Sequence, residues 1–270
     1  MREQAVVLAQ NVESPAEKLN ILREYLQAFV MRSLHESEAY ICLSFVGGTA
    51  LRFAFDLPRF SEDLDFSLEN PVGYEPVRWM EKLKRDMTLA GFDTTLNWND
   101  RKTVNTAWIK VAGLLKDAGL SAMTNQNLSI KLEIGSRPPA GAETIRTVIN
   151  RHFMFAVRHH SLPSLMAGKI HALMTRKYSK GRDWYDLLWY LSRRPSTEPN
   201  LALLQNALDQ TQGVGTFRAT DWRGMLSEKV QEMDFPKLLQ DVEPFLERPQ
   251  DARLLTFTHF QSLLLLLQPV

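Results

Sequence analysis

The chain has 270 residues, 44 % apolar and 23 % charged, the balance of an ordinary folded protein, which excludes a disordered or fibrous one. Its formal net charge of +1 marks no polybasic partner surface, yet it does not exclude a basic face, because a neutral total can hide a one-sided distribution. The single cysteine, Cys42, excludes an internal disulfide and a cysteine-built metal cage, and the leucine run Leu263–Leu267 is far shorter than the roughly 20 residues of a membrane span.

The elements follow in chain order. Ser14-Pro15-Ala16-Glu17 reads as a helix start, with Ser14 as N-cap, Pro15 in the first turn and Glu17 completing a capping box. Ile21, Leu22, Tyr25, Leu26, Phe29 and Val30 then supply an apolar stripe at helical spacing. The run from Tyr40 to Val46 predicts a buried strand that includes Cys42, ending at Gly47-Gly48, with a short helix from Thr49 to Phe55. Asp63 to Leu68 alternates polar and apolar and predicts a half-buried strand, with a helix at Glu75–Leu89 and further strands at Thr106–Leu115 and Leu128–Ile134. Beyond His160 the periodicity is helical: Ser164–Lys177, Asp183–Ser192, Leu201–Leu208, Asp221–Met233 and Ala252–Leu266. An α+β region with a small mixed sheet over 1–150, followed by a helical region over 151–270 that completes a cleft, is the expected organisation. With one cysteine, no leader pattern and no apolar span, the expected location is the cytoplasm, away from membranes.

The chemistry concentrates at a few positions. On a strand, Asp63 and Asp65 project to one side while Leu64 and Phe66 point inward, so both carboxylates can reach one Mg²⁺. Gly47, Gly48 and Thr49 stand at a strand-to-helix junction, where main-chain N–H groups can approach a triphosphate. Each piece also fits a plain reading, a solvated acidic pair and a tight turn. A third carboxylate that takes a proton or completes a metal shell falls on Glu133, which shares the polar face of its strand with Lys131; an exposed Lys/Glu pair on an edge strand reads equally well. On the next helices, Lys169 and Arg176 share a face and can address phosphate, and Asp183 and Asp186 lie three apart; Asp183 also reads as a cap and Asp186 as the partner of a base such as Lys169 or Arg176. The histidines show no zinc spacing, and no Walker lysine motif or nucleophile elbow is present.

Phe45-Val-Gly-Gly-Thr-Ala-Leu-Arg52 followed by Arg59-Phe-Ser-Glu-Asp-Leu-Asp-Phe66 resembles the AbiEii/AbiGii toxin family of nucleotidyltransferases. Ala167-Gly-Lys-Ile-His-Ala172 and Lys180-Gly-Arg-Asp-Trp-Tyr-Asp186 resemble its downstream motifs, in the same order, so the likeness runs from about residue 44 to 190. The resemblance implies a DNA polymerase β-type fold, with Asp63 and Asp65 holding Mg²⁺ (Mn²⁺ as the alternative). It implies that Gly48 and Thr49 contact the triphosphate and that Lys169 neutralises phosphate. Beside these, Gly47, Arg59, Ser61 and Arg176 are candidates for nucleotide, Glu133 (from strand phase) and Asp186 for the catalytic set, and Lys131, Arg182 and Asp183 for substrate or structural roles. It further implies the toxin of a toxin–antitoxin or phage-defence pair, moving NMP from an NTP to an RNA acceptor such as the tRNA 3′ end, with a cognate antitoxin. The interval from Gly48 to Asp63 is slightly long against nucleotidyltransferases at large.

A protein or small-molecule acceptor, or an inactive relative used for binding, are the rival expectations. For an RNA acceptor, Arg158, His159, Arg176, Lys177, Tyr178, Lys180, Arg182 and Trp184 offer a basic and aromatic mixture, which reads equally as a solvated helix junction.

Overall fold

The computed structural model describes residues 1–266; Leu267, the last of the leucine run, and the final residues of the expected 151–270 region lie outside the described residues. The chain forms two compact units, each discontinuous in sequence. The first comprises Met1–Ala54, Phe60–Pro138 and Ile145–His159, and the second Phe55–Arg59, Pro139–Thr144 and the chain from His160 onward.

In the first unit, α1 (Arg2–Gln10) precedes α2 (Pro15–Glu36), whose start obeys its caps: Ser14 Oγ accepts the Glu17 N–H at 3.5 Å and Pro15 occupies the first turn. Leu22, Tyr25, Leu26, Phe29 and Val30 are buried, as their spacing predicts. The expected strand from Tyr40 is shorter. Glu38 turns the chain in the left-handed region (φ 58°), a 3₁₀ turn covers Ala39–Ile41, and β1 runs only over Leu43–Val46. Cys42 is buried, but it ends that turn rather than lying in a strand; its N–H donates to the Ala39 carbonyl at 3.2 Å. The helix expected from Thr49 starts earlier, as α3 (Gly47–Phe55), because Gly47 reverses the chain at once with φ +78°.

There follow β2 (Leu64–Leu68), α4 (Pro76–Leu89), β3 (Thr94–Asn99), β4 (Val104–Ala112), α5 (Leu114–Asp117), β5 (Asn127–Gly135), β6 (Thr144–Arg151) and β7 (Phe153–His160). The strand expected to reach Leu115 stops at Ala112, since Gly113 adopts φ +71° and opens α5. β4 and β5 lie where the alternation puts them, β1 is the end of the expected apolar run, and β2 begins at Leu64, so that Asp63 stands just before the strand expected to start with it. β3 and β6 carry too many polar or exposed residues to announce themselves, whereas β7 is largely buried and is not among the expected strands. The seven strands form one mixed sheet in the order β3-β4-β5-β2-β1-β7-β6. β1 pairs antiparallel with β2 and parallel with β7, β2 pairs parallel with β5, and β3, β4 and β5 form an antiparallel meander. Leu64, Phe66, Ala107, Ile109, Ile130 and Leu132 are buried on one face, and α2 and α4 pack against strands of this sheet. The intervening residues, Asp65, Thr106, Lys131 and Glu133 among them, stay partly accessible.

The second unit holds α6 (Leu162–Thr175), α7 (Gly181–Ser192), α8 (Leu201–Gln212), α9 (Trp222–Gln231), α10 (Phe235–Val242) and α11 (Phe257–Leu266). α6 begins before the expected Ser164, because Ser161 is its cap and accepts the Ser164 N–H at 3.3 Å. The expected continuous helix from Ala252 is broken: Pro249–Leu254 is a 3₁₀ turn and α11 starts after it. Trp184 and Phe260 meet edge to face at 5.5 Å in the core. Gly181 lets α7 pass so close to α10 that a Cβ there would strike the Leu238 carbonyl. Among the described residues no helix is long and apolar enough to cross a membrane.

Candidate active site

In the first unit the acidic motif and the glycine turn meet. Val46 is registered with Asp65 across the β1–β2 ladder, so the chain leaves β1 into Gly47 beside that aspartate. A Cβ built on Gly47 would stand 2.5 Å from Asp65 Oδ2 and 3.2 Å from its Cβ, and the φ of +78° already favours glycine. The N-terminus of α3, whose first N–H groups have no partner within the helix, thus begins against the carboxylate. Thr49 is fully buried and its hydroxyl donates to the Asp63 main-chain carbonyl, so this side chain ties α3 to the acidic loop. Gly48 is likewise buried in the first turn, and Ser61 offers its carbonyl to the Gln27 amide at 3.1 Å. Gln27 also holds the Glu62 carbonyl at 2.9 Å, fixing the segment that leads into Asp63 from the side of α2.

Glu133 stands beside Asp65, because β2 and β5 run parallel with these two residues in register. Its carboxylate pairs with Lys131 at 2.8 Å. Burial pulls the Lys131 pKa down, but the hydrogen bond to Glu133 and the fields of Glu133, Asp63 and Asp65 outweigh it and raise it above the ordinary lysine value. The donor set at Asp63 and Asp65 is hard carboxylate oxygen, and Gly47 leaves open the space that a side chain would fill. Both features fit Mg²⁺, which one or two carboxylates hold while waters and phosphates complete its shell. Among the described residues no group of three or more Asp, Glu, His or Cys stands together to hold a metal, so the fit is of this two-carboxylate kind.

The second unit gathers the remaining expected residues into a buried ion cluster. Arg59, 2 % exposed, donates twice to Asp186, from Nε and from Nη2, at 2.6 Å each; the guanidinium expected at a nucleotide lies inside the unit. Lys169 donates to Asp183 at 2.9 Å and lies 2.7 Å from Asp186, and Arg176 closes the cluster on Asp183. Asp183 is therefore no cap of α7, whose N-cap is Lys180. Burial lowers the Lys169 pKa and raises that of Asp183, but the opposite charges outweigh it in both, so the ammonium is held above its usual value and the carboxyl below. Arg182 lies over the Phe245 ring at 4.2 Å. Of the basic and aromatic mixture expected to meet RNA, Trp184 and His159 are buried, His159 bonding Thr147 at 2.9 Å, and Arg158 donates to Ser44 and to the Leu43 and Ile41 carbonyls. Tyr178 does stay exposed. The partner of Asp186 that the sequence did not name is Arg59, 127 positions away, and no local spacing could have supplied it.

The family model for the nucleotidyl transferase AbiEii toxin of type IV toxin–antitoxin systems matches residues 29–260, most of the chain and both units. The chain belongs to the AbiEii family. As an AbiEii protein it is a nucleotidyltransferase, and it takes its place in a type IV system beside an antitoxin. A candidate nucleotidyltransferase from H. pylori shares the fold: TM-score 0.54 and 19 % identity, over 89 % of this chain and 96 % of that one. JHP933 from Helicobacter pylori aligns with TM-score 0.49 and 19 % identity over 88 % of this chain and 90 % of that one. No curated protein matches this AbiEii sequence. The mixed α/β architecture expected from the pattern of elements, and the nucleotidyltransferase fold implied by the resemblance, are what is observed.

Proposed function

We propose that this AbiEii protein is a Mg²⁺-dependent toxin that transfers NMP from an NTP to an RNA acceptor such as the 3′ end of tRNA, in the setting of phage defence. The observation that carries the reading is the approach of Gly47 to Asp65, which brings a helix N-terminus and a metal-binding carboxylate to one point. Main-chain N–H groups would meet the oxygens of a triphosphate, and the carboxylates would hold the cation that accompanies it.

Asp63 and Asp65 would hold the Mg²⁺, which when bound neutralises the charge that develops on the phosphates. The N–H groups at Gly47 and Gly48 orient the triphosphate, and Thr49 keeps Asp63 in place through its main-chain carbonyl. The acceptor hydroxyl forms its bond to the α-phosphorus as the bond from that phosphorus to the pyrophosphate oxygen breaks. The proton of the hydroxyl passes to the Glu133 carboxylate, next to Asp65 on the neighbouring strand, and pyrophosphate leaves. Lys131 pairs with the Glu133 carboxylate at rest. Positioning and electrostatics supply the acceleration.

The test is incubation of purified protein with Mg²⁺, total tRNA and each α-labelled NTP in turn, beside Asp63→Ala, resolved on a denaturing gel. Label on RNA with the native chain and none with the variant is the expected result. Label on protein, or label that survives Asp63→Ala, refutes it.

A further inference from the structure

The face of the sheet that carries the acids continues past β5. Asp65 is registered with Glu133 and Glu133 with Thr106; one pair along, Lys131 is registered with Trp108 and Trp108 with Asn97. Directly paired residues point to the same side of a sheet, so the Trp108 indole stands on the face of Asp65 and Glu133. Its neighbours in the chain, Ala107 and Ile109, point the other way and are fully buried, whereas Trp108 is 42 % exposed. Nothing in the strand's own packing calls for an indole there, since the core lies on the opposite face.

Three hollows share Trp108 as a wall. One of about 460 Å³ also meets Asp63 and Lys131, one of about 320 Å³ meets Glu133 and Lys102, and one of about 230 Å³ meets Lys110 and Asn97. The ring is thus the centre of a shallow depression that starts at the acids and is bordered by lysines. Lys131 lies 5.9 Å from the ring centroid. An exposed aromatic plane among cations is the combination that holds single-stranded nucleic acid, the plane taking a base and the cations the backbone.

The sheet order says which strand of substrate would meet it. Gly47 adjoins Asp65 from the β1 side, while Glu133 and Trp108 lie on the β5 and β4 side. With the triphosphate on the N-terminus of α3, an in-line displacement sends pyrophosphate out on the β1 flank and admits the attacking hydroxyl from the β5 flank. We infer that Trp108 is the stacking platform for the unpaired terminal base of the acceptor RNA strand, with Asn97 beside it to meet the base edge. The assignment rests on the transfer reading above for the direction of approach.

Two measurements on Trp108→Ala and Trp108→Phe test it. The first is fluorescence anisotropy of a labelled single-stranded oligoribonucleotide titrated with the intact protein, with no NTP present. The second is the pair of KM values, for tRNA and for NTP, in the transfer assay. Trp108→Ala is expected to weaken oligonucleotide binding and raise the tRNA KM about tenfold, to leave the NTP KM within about twofold, and to melt with the native chain; the phenylalanine variant retains most of the binding. Binding by Trp108→Ala equal to the native chain, or no oligonucleotide binding by the native chain, overturns the inference. So does a raised NTP KM with an unchanged tRNA KM, which would put the nucleotide's base on the ring. If the native chain labels no RNA, the transfer reading fails, and the anisotropy titration still decides on Trp108.

Discussion

Gly47 and Asp65 approach so closely that no side chain can stand between them: a Cβ on the glycine would lie 2.5 Å from the aspartate Oδ2. The φ of +78° adds a second restriction, since an L side chain is strained there whatever the space. Gly47→Ala should therefore lose about 1–3 kcal/mol of stability and push the Asp65 carboxylate away from the first turn of α3. The check is urea unfolding together with transfer at saturating NTP. A variant of native stability and native rate would show that the approach has no role.

Asp65→Asn keeps the size of the side chain and removes its charge. The acid is partly accessible on a strand whose buried residues, Leu64 and Phe66, face the other way, so packing should survive. Transfer should fall by about a hundredfold or more, while the melting temperature stays within a few degrees. Glu133→Gln should lower the rate less than Asp65→Asn does, because it acts on the proton of the acceptor and not on the metal.

Chelation should stop the reaction and Mg²⁺ should restore it in the native chain, whereas Asp63→Ala should not be restored at millimolar Mg²⁺. Two carboxylates complete a Mg²⁺ site only with waters and substrate phosphates, so the metal should bind weakly to the chain alone and tightly with NTP. Isothermal titration of Mg²⁺ with and without a non-hydrolysable NTP reads this directly. Equal affinity in both would argue against phosphate in the metal's shell.

Asp186 is fully buried between the Arg59 guanidinium and the Lys169 ammonium. Asp186→Ala leaves two cations facing one another without their shared carboxylate, and should cost about 3–5 kcal/mol in urea unfolding. The loss should appear with or without substrate, since the cluster is interior. A drop below about 1 kcal/mol would place these charges in water rather than in the core.

Acid should unfold the first unit through Glu24. Burial pushes this carboxyl up, but the hydrogen bond from His152 and the charges of Arg52 and Arg151 outweigh it and hold its pKa at about 2, against an ordinary 4.5. Because the folded value is depressed, the group stabilises the fold fully above the ordinary value, and that contribution drains away as pH falls from about 4.5 towards 2. It amounts to roughly 3 kcal/mol. Glu24→Gln should flatten the acid limb of a stability-versus-pH curve; an unchanged limb would remove Glu24 as its origin.

What could be read before folding was local. Ser14 and Pro15 announced α2, the alternation of β2 and β5 separated core positions from the acids, and the order of motifs carried the family. β3 and β6 were not legible, because strands with polar or exposed positions hold together through neighbours that a local pattern does not contain; β7 is largely buried, and its alternation is a signal that the sequence did contain. Thr49 and Arg59 show the same limit: both sit in motifs that suggest contact with nucleotide, yet one bonds the Asp63 carbonyl and the other is buried on Asp186.

The sequence by itself marked the candidates, an aspartate pair one residue apart and a glycine pair after a strand, although β2 begins only at Leu64 and Asp63 stands just before it. Only the tertiary structure decided what stands beside them. The parallel pairing of β2 with β5 brought Glu133 to Asp65, and the antiparallel return of β4 put Trp108 on the same face. Strand register is fixed by long-range hydrogen bonding and by burial of the opposite face, so its consequences lie in the ladder and not in any one strand.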